Sequence, residues 1–470
     1  MPKKKFYITT SIAYTNARPH LGYALETVQA DVLARYRRLL GEDVFFLTGA
    51  DEHGRKVAEA AEEAGRAPGD FVNEISGKFK ELTQILNLSN DDFIRTTDKK
   101  RHWPEVNRVW LKLKENGDIY KKKYKGLYCV GCEAFITKKD LVDGKCRIHK
   151  IEPDAVEEEN YFFRLSKYSP KISDILKNDK IKIIPTTRKN EMLNFVKQGL
   201  EDISFSRPRK DLRWGIPAPD DATQTVYVWG DALTSYLSGA PGRWPADVQC
   251  IGKDIQKFHC LIWPGMLLSL GLPLPKTILV HGFITVSGQK MSKSLGNVVD
   301  PFELVKKYGT DSVRYFLLRE IPPTEDGDFT QQKFEGRYNA DLASGLGNLV
   351  ARVITMAKNS KSEARNPKQI LNSKFKTEIE KTKKECHRFL NEFRFNEALM
   401  AIWELISFCD RYIEKEKPWE ESKNQKEVIG NLLFALAEIT KMLQSFLPET
   451  SRKILKQLEA KKSEPLFPRI

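Results

Sequence analysis

The spacing of apolar residues changes character twice along the chain. Residues 6–14 (FYITTSIAY) and 44–48 (VFFLT) are short, dense apolar runs rich in β-branched and aromatic types. That is the pattern of strands buried on both faces. Between them, across 22–40, Leu25, Val28, Val32, Tyr36 and Leu39 recur at helical spacing, and Gly41 follows as a stop. Further strands are predicted at 225–229 (TVYVW), 248–252 (VQCIG) and 277–283 (TILVHGF), alternating with helical stretches such as FHCLIWPGMLLSLG. The simplest architecture is α/β: one parallel sheet whose halves are separated by an insertion at 116–224. From about 340 the strand signals vanish. Leu399, Ile402, Leu405, Ile406, Cys409 and Ile413 share one helical face, Pro418 follows that helix and Pro448 closes a later one. This region is predicted to be a helical bundle, with SKSEARNPKQ near 360 as a loop between helices.

The chain has 470 residues, enough for two or three domains with a substantial core. Its formal net charge of +14 points to a polyanionic partner, nucleic acid first and an anionic membrane second. No apolar run reaches the ~20 residues that span a bilayer. The basic start, Met1 to Lys5, is followed by polar residues without a small-residue cleavage site, so no signal peptide is expected. Seven cysteines, four of them far from any partner in sequence, fit a reduced, cytoplasmic protein. Cys250, Cys260, Cys386 and Cys409 are expected to act as small buried hydrophobes.

Three stretches carry chemistry. Cys129-x2-Cys132 and Cys146-x2-His149 form two knuckle pairs able to converge on a tetrahedral Zn²⁺. Four protein ligands leave no open position, so the site is expected to be structural. KMSKS, residues 290–294, sets two lysines among serines and glycines. Such a loop can close on a triphosphate and neutralise the charge of departing pyrophosphate. Taken alone, the pair reads more readily as a solvated surface turn. His20-Leu21-Gly22-Tyr23 stands at the start of the predicted helix, where backbone N–H groups and the helix dipole favour phosphate.

Together, SIAYTNARPHLGY, FFLTGADEHGRKV, YCVGCE with CRIH, VYVWGDALTSY, IGKDIQKFHCLIWPGML and VSGQKMSKSLGNVVDP resemble the class I aminoacyl-tRNA synthetases, and within them the methionyl-tRNA synthetases, over nearly the whole chain. The resemblance implies a Rossmann-type catalytic domain in two halves, 1–115 and 225–285. A connective insertion with one zinc knuckle, 116–224, would separate them. A KMSKS loop and stem-contact region would follow at 286–340, and a helical anticodon-binding domain at 341–470. It further implies ATP, Mg²⁺ and one structural Zn²⁺ as cofactors, with L-methionine and tRNA(Met), initiator tRNA included, as partners.

Carried over by position, the resemblance gives Asp51 the methionine amino group, a charge-assisted contact. Ile12, Tyr14, Trp229, Ala232, Tyr236 and His259 would line the rest of the methionine pocket, where aromatic rings suit a polarisable thioether. His20, Gly22, Gly252, Asp254, His281, Lys290 and Lys293 would bind ATP, with His20, Tyr23, Lys290 and Lys293 at the catalytic signatures. Asn348, Arg352 and Trp419 would read a CAU anticodon by hydrogen bonding and stacking. Read without the family, Trp229 and Tyr236 are core aromatics and His281 a core histidine, while Trp419 is equally a hydrophobic staple for the next helix or a stacking residue. A monomer without membrane association is expected, since the dimerising C-terminal extension of some members is not seen.

A cysteine-specific synthetase would need an open zinc site, and the branched-aliphatic enzymes carry a larger editing insertion. A tRNA-binding protein that has lost adenylation is the rival from another class. Its motive is Tyr23, which stands where the family pattern usually has a second histidine; a tyrosine stays neutral to pH ~10 and brings no positive charge. The substitution is expected to be tolerated, because the reaction rests on positioning and on electrostatics from several groups. Tyr23→His is therefore expected to leave the methionine-dependent ATP–pyrophosphate exchange rate within about threefold. A larger gain would show that Tyr23 slows adenylation.

Overall fold

The computed structural model describes residues 3–136, 141–291, 296–359, 372–420 and 424–470. The chain divides into two compact units. The first comprises Met1–Pro19, Gly41–Gln84 and Ser89–His281, and the second His20–Leu40, Ile85–Leu88 and Gly282–Ile470. The loop expected at SKSEARNPKQ lies outside the described residues.

The first unit is built on a seven-stranded sheet: β1 (Lys5–Thr10), β2 (Ala13–Tyr14), β3 (Asp43–Asp51), β4 (Asp92–Arg95), β5 (Lys182–Ile184), β6 (Val248–Gly252) and β7 (Thr277–His281). The order is β5-β7-β6-β1-β3-β2, with β4 also on β3, and the pairings are parallel. Every residue of β6, and Phe6 through Thr10 of β1, is buried. This is why these strands read as unbroken apolar runs instead of alternating ones. Helices His102–Glu115 and Val228–Ser238 contribute Val106, Trp110, Leu233 and Tyr236 to the main core, where they join Phe163, Phe205 and Trp263.

Two expectations need correction. TVYVW at 225–229 is not a sheet strand: strand Asp221–Val226 ends inside it, and the helix Val228–Ser238 begins at its fourth residue. That strand pairs antiparallel with Ser206–Pro208 and Pro217–Ala218 in a separate small sheet. The following residues explain the switch. Val228, Ala232 and Tyr236 form one buried helical row and Leu233 with Leu237 another, and burial of those rows outweighs the local β preference of Val-Tyr-Val-Trp. Second, the expected insertion is not continuous, because β5 within it is an edge strand of the parallel sheet, registered Ile183↔Ile278. Three residues are too few to show a period.

Elsewhere in that region the helices Ser169–Lys177 and Thr186–Lys197 flank β5 in sequence, and an antiparallel sheet forms around the long pair Ile119–Cys129 and Asp154–Phe163. Its lysines are not a bare cationic strip. Lys123 stands opposite Glu159 and Lys125 opposite Glu157, while Lys121 bonds Asp221 at 2.9 Å. Much of the local positive charge is matched across the strands.

In the second unit, the helix Leu21–Leu39 is tied to the rest of that unit through Arg314, whose side chain is fully buried. Its guanidinium pairs with Asp31 at 2.8 Å and donates to the carbonyls of Phe446 (2.8 Å), Leu86 (3.1 Å) and Ser445 (3.2 Å). Arg35 adds a second contact to Asp31 at 2.7 Å. Removing one partner of a buried pair like this costs about 3–5 kcal/mol, because a desolvated charge is left behind. The helices Asn348–Asn359, Ser373–Asn391, Phe395–Glu416, Gln425–Leu443 and Pro448–Ala460 then form the bundle. The six apolar positions expected on one face between 399 and 413 are all buried. Pro448, expected to close a helix, instead opens the last one: the preceding helix ends at Leu443, and in a first turn the missing N–H is harmless.

Candidate active site

β3 ends on Asp51, at the carboxyl edge of the sheet, which is where open parallel sheets bind ligands. The side chain is buried, and among the described residues its Oδ1 has no hydrogen-bond partner. Burial, reinforced by the nearby charge of Asp231, pushes the carboxyl well above the usual carboxylate range. A carboxylate in this position is stabilised by a cation arriving beside it.

The backbone around Asp51 is held from several directions. Thr15 donates its N–H (3.0 Å) and its hydroxyl (2.9 Å) to the Asp51 carbonyl. Glu52, fully buried, accepts from Arg95 Nε at 2.6 Å and from the hydroxyls of Ser76 and Thr97. Trp214 Nε1 donates to the Glu52 carbonyl at 2.5 Å. His53 Nδ1 lies 2.6 Å from Asp231, whose other oxygen meets His102 Nε2 at 2.5 Å. Burial opposes ionisation of Asp231, yet the two imidazoles hold its carboxyl below the usual range.

Asp231 belongs to the helix Val228–Ser238, so this bond pins that helix to the end of β3. The same helix carries Trp229, Ala232 and Tyr236, spaced three and then four residues apart along one face. Trp229 stacks on Phe258 with centroids 3.6 Å apart and meets His259 edge-on at 6.2 Å. His259 sits on the π-helical turn Phe258–Ile262, a distortion that often re-aims a side chain at functional sites. Its Nδ1–H donates to the Ile255 carbonyl at 3.0 Å, leaving Nε2 to accept from the Tyr236 hydroxyl at 2.7 Å. Burial lowers the His259 pKa to about 4, so at neutral pH the ring carries no charge. Tyr14 pairs in register with Asp51, and Ile12 packs against the Tyr7, Leu47 and Ile94 cluster. The structure places Tyr14 beside Asp51, groups Trp229 and Tyr236 around His259, and through the His53–Asp231 bond fixes the helix carrying Trp229, Ala232 and Tyr236 to the end of β3.

Gly252 and His281 end neighbouring strands and stand in register, and Lys253 N–H donates to the His281 carbonyl at 3.2 Å. A Cβ on Gly252 would lie 2.7 Å from Asp254 Oδ1 and 3.7 Å from the His281 ring. The three residues therefore share one cradle that only glycine leaves open.

Cys129 ends its strand, Cys146 ends the short strand Lys145–Cys146, and Cys132 and His149 lie on the turns that follow. The four ligand atoms lie within 4.8 Å of one another. Cys132 Sγ is 3.6 Å from Cys146 Sγ and 3.2 Å from His149 Nδ1. These are separations at which thiolates and an imidazole can share one tetrahedral ion. A Cβ on Gly131 would come within 2.4 Å of the His149 ring, so the turn closes only around glycine. The other four cysteines are buried and form no disulfide, as expected, and burial pushes the Cys386 and Cys409 thiols up to about 12.

In the second unit, His20 caps the helix Leu21–Leu39: its Nδ1 accepts from the Gly22 N–H at 3.0 Å. Tyr23 is buried in the first turn. Lys290 is exposed on a hairpin whose two-residue turn, Ser287 (φ +52°) and Gly288 (φ +76°), has both residues left-handed. That is the turn which suits the twist of tight hairpins. Its ammonium lies 5.3 Å over the Phe283 ring. Lys293 lies outside the described residues. Asn348 and Arg352 are one turn apart on a helix, and Arg352 is held by Glu414 at 2.6 Å and faces Asp410 at 3.7 Å. Trp419 is 54% exposed, two residues past the left-handed Lys417 that ends the helix Phe395–Glu416. An indole so exposed is not a hydrophobic staple.

Five residues at the site were not picked out from the sequence: Glu52, His53, His102, Glu133 and Asp231. The only linear signal was the polarity of Asp51-Glu52-His53 directly after an apolar strand, since the side-chain partners of Glu52 and His53 lie 24 to 178 residues away.

The profile described as "tRNA synthetases class I (M)" matches residues 6–144 and 136–354, and "Anticodon-binding domain of tRNA ligase" matches 372–468. The chain is 43% identical over 475 residues to the methionine–tRNA ligase of Thermotoga maritima, covering 97% of this chain and 75% of that one. It is 41% identical to that of Brucella suis, covering 97% and 92%. The structure of Mycobacterium tuberculosis methionyl-tRNA synthetase in complex with methionyl-adenylate superposes with a TM-score of 0.92 at 38% identity, covering 96% of this chain and 93% of that one. With the profile spanning both the Asp51 strand and the metal knuckle, the chain belongs to the methionyl-tRNA synthetase family of class I tRNA synthetases.

Proposed function

We propose that the chain is a cytoplasmic methionine–tRNA ligase. It activates L-methionine with ATP to methionyl-adenylate and pyrophosphate, then transfers the methionyl group to the 3′ end of tRNA(Met), initiator tRNA included. The observation that carries this reading is the buried, unpartnered Asp51 oxygen at the carboxyl edge of the sheet, with Tyr14 in register beside it. An α-ammonium satisfies the carboxylate, and a thioether suits the rings of Tyr14, Trp229, Tyr236 and His259. A neutral His259 is required, because a charged imidazole beside an apolar side chain would be a desolvated cation.

In the first step a carboxylate oxygen of methionine attacks the α-phosphorus of ATP, and the bond to pyrophosphate breaks without a protein nucleophile. The residues assigned to ATP divide by task. Gly252, Asp254 and His281 take the nucleoside. The Gly22 N–H holds His20 Nδ1, so that the ring can offer its Nε2–H to phosphate, and Lys290 with Lys293 neutralises charge growing on the leaving group. Mg²⁺ accompanying ATP would supply further neutralisation of the phosphates. A terminal ribose hydroxyl of the tRNA then attacks the adenylate carbonyl and AMP leaves. Asn348, Arg352 and Trp419 are assigned to the CAU anticodon; the ion pair to Glu414 presets Arg352, and the exposed indole offers a face for base stacking.

Cys129, Cys132, Cys146 and His149 would hold one Zn²⁺, the ion matched by three thiolates and an imidazole. With no open ligand position it supplies cross-linking of the knuckle instead of chemistry. A monomer is part of the same proposal, checked by light scattering against the chain mass of 54.0 kDa.

Methionine-dependent ATP–pyrophosphate exchange tests the enzyme reading, and its absence at saturating methionine would contradict it. Trp419→Ala is expected to slow tRNA charging by about tenfold or more, the scale of one lost base stack, with exchange unchanged. An equal fall in both would remove the anticodon role. Cys146→Ser is expected to abolish stoichiometric zinc and to loosen the knuckle, read as accelerated proteolysis near residues 129–149. A knuckle that stays protected without zinc would show that the ion is not structural.

A further inference from the structure

Glu133 follows the metal ligand Cys132 directly, yet its side chain turns away from the knuckle. It is a buried carboxylate in a left-handed backbone conformation (φ +50°), fixed by its N–H donating to the Val130 carbonyl at 3.1 Å. Non-glycine residues hold that conformation only when their surroundings impose it. The two oxygens accept three hydrogen bonds. Oε1 takes the Tyr14 hydroxyl at 2.6 Å and the Lys56 backbone N–H at 2.6 Å, and Oε2 takes the Tyr128 hydroxyl at 2.6 Å. Tyr14 pairs with Asp51 in the sheet, and Lys56 lies in the first turn of the helix that follows the Asp51 loop. Gly54 passes so close that a Cβ there would lie 2.5 Å from the Tyr14 hydroxyl and 2.9 Å from Glu133 Oε1. One carboxylate on the metal-binding turn therefore ties down both flanks of Asp51.

We propose that Glu133 is a positioning residue for the methionine pocket: by fixing the Tyr14 hydroxyl and the Lys56 backbone, it makes methionine affinity depend on the folded knuckle. The inference rests on the assignment of Tyr14 to the methionine pocket. Glu133 does not touch substrate. It holds the ring that does, so its loss weakens methionine binding and leaves the ATP residues undisturbed. An ordinary structural residue would affect both substrates alike.

The test uses the full-length, zinc-loaded chain, with the methionine Kd from calorimetry, the KM for methionine and for ATP from pyrophosphate exchange, and zinc content by elemental analysis. In Glu133→Ala, methionine Kd and KM are expected to rise about tenfold, the scale of one charge-assisted hydrogen bond, with the KM for ATP within about twofold and zinc retained. Glu133→Gln, whose amide oxygen still accepts from Tyr14 and Lys56, is expected to stay within about threefold of the native Kd. Tyr14→Phe is expected to reproduce the rise, and combining it with Glu133→Ala to add less than about twofold. Unchanged methionine affinity in Glu133→Ala, an equal rise in KM for both substrates, or additive effects in the double variant would each overturn the proposal. Should Glu133→Ala fail to fold, unchanged affinity in Tyr14→Phe overturns it. If Tyr14→Ala leaves the methionine Kd unaltered, the pocket assignment itself fails; if Tyr14→Ala raises it while Glu133→Ala does not, only the coupling fails.

Discussion

A carboxylate buried at the end of a central strand, with one oxygen left unpaired, is costly unless something arrives to pair it, and much of the first unit is organised around keeping Asp51 in that condition. β1, β6 and β7 are apolar because they are covered on both faces, and that rigid centre carries Asp51 to the sheet's carboxyl edge on β3. Glu52, His53 and Thr15 then lock the turn with bonds that leave the Asp51 oxygen free of protein donors. On the proposed assignment, the amino group of methionine pairs with that oxygen.

The polar groups nearby are arranged to avoid competing for that role. Both oxygens of Asp231 are already shared by His53 and His102, so it offers no second free acceptor beside Asp51. His259 is oriented by the Ile255 carbonyl and kept neutral by burial, leaving its outer nitrogen to Tyr236. On the proposed assignment, a carboxyl that demands positive charge is combined with neutral rings that do not, a match for an amino acid whose side chain is apolar and polarisable. Glu133 extends this order into the metal knuckle, and the insertion becomes part of how the pocket keeps its shape. In the second unit a different buried charge, the Asp31–Arg314 pair, fixes the helix that His20 caps.

Elements with long periods were legible in the sequence. The helix after His20 and the apolar face from Leu399 to Ile413 match the structure closely, because their residues meet neighbours three or four positions away. The metal knuckle was legible because its ligand pairs are local and its chemistry admits few other readings. Short strands were not. TVYVW has strand composition, but its helical partners Leu233, Tyr236 and Leu237 lie beyond the window, and β5 consists of three residues whose pairing partner is about ninety positions away. The supporting polar network was illegible for the same reason: no feature of His53 or Glu133 in the linear chain points to Asp231 or Tyr14, and only the fold brings them within hydrogen-bond reach. Tyr23 reads as a defect in the signature; the structure places it as a buried side chain in the first turn of its helix.

The most direct measurement of the central claim compares the binding of methionine with that of 4-(methylthio)butanoate, which keeps the thioether and carboxylate but lacks the ammonium, by calorimetry against the native chain and Asp51→Asn. If the unpaired Asp51 oxygen is the ammonium site, the native chain binds methionine at least about 100-fold more tightly than the analogue, the scale of a buried charge pair, and in Asp51→Asn the gap shrinks below about tenfold. Equal affinity of the native chain for the two ligands, or a gap that Asp51→Asn leaves intact, would contradict it.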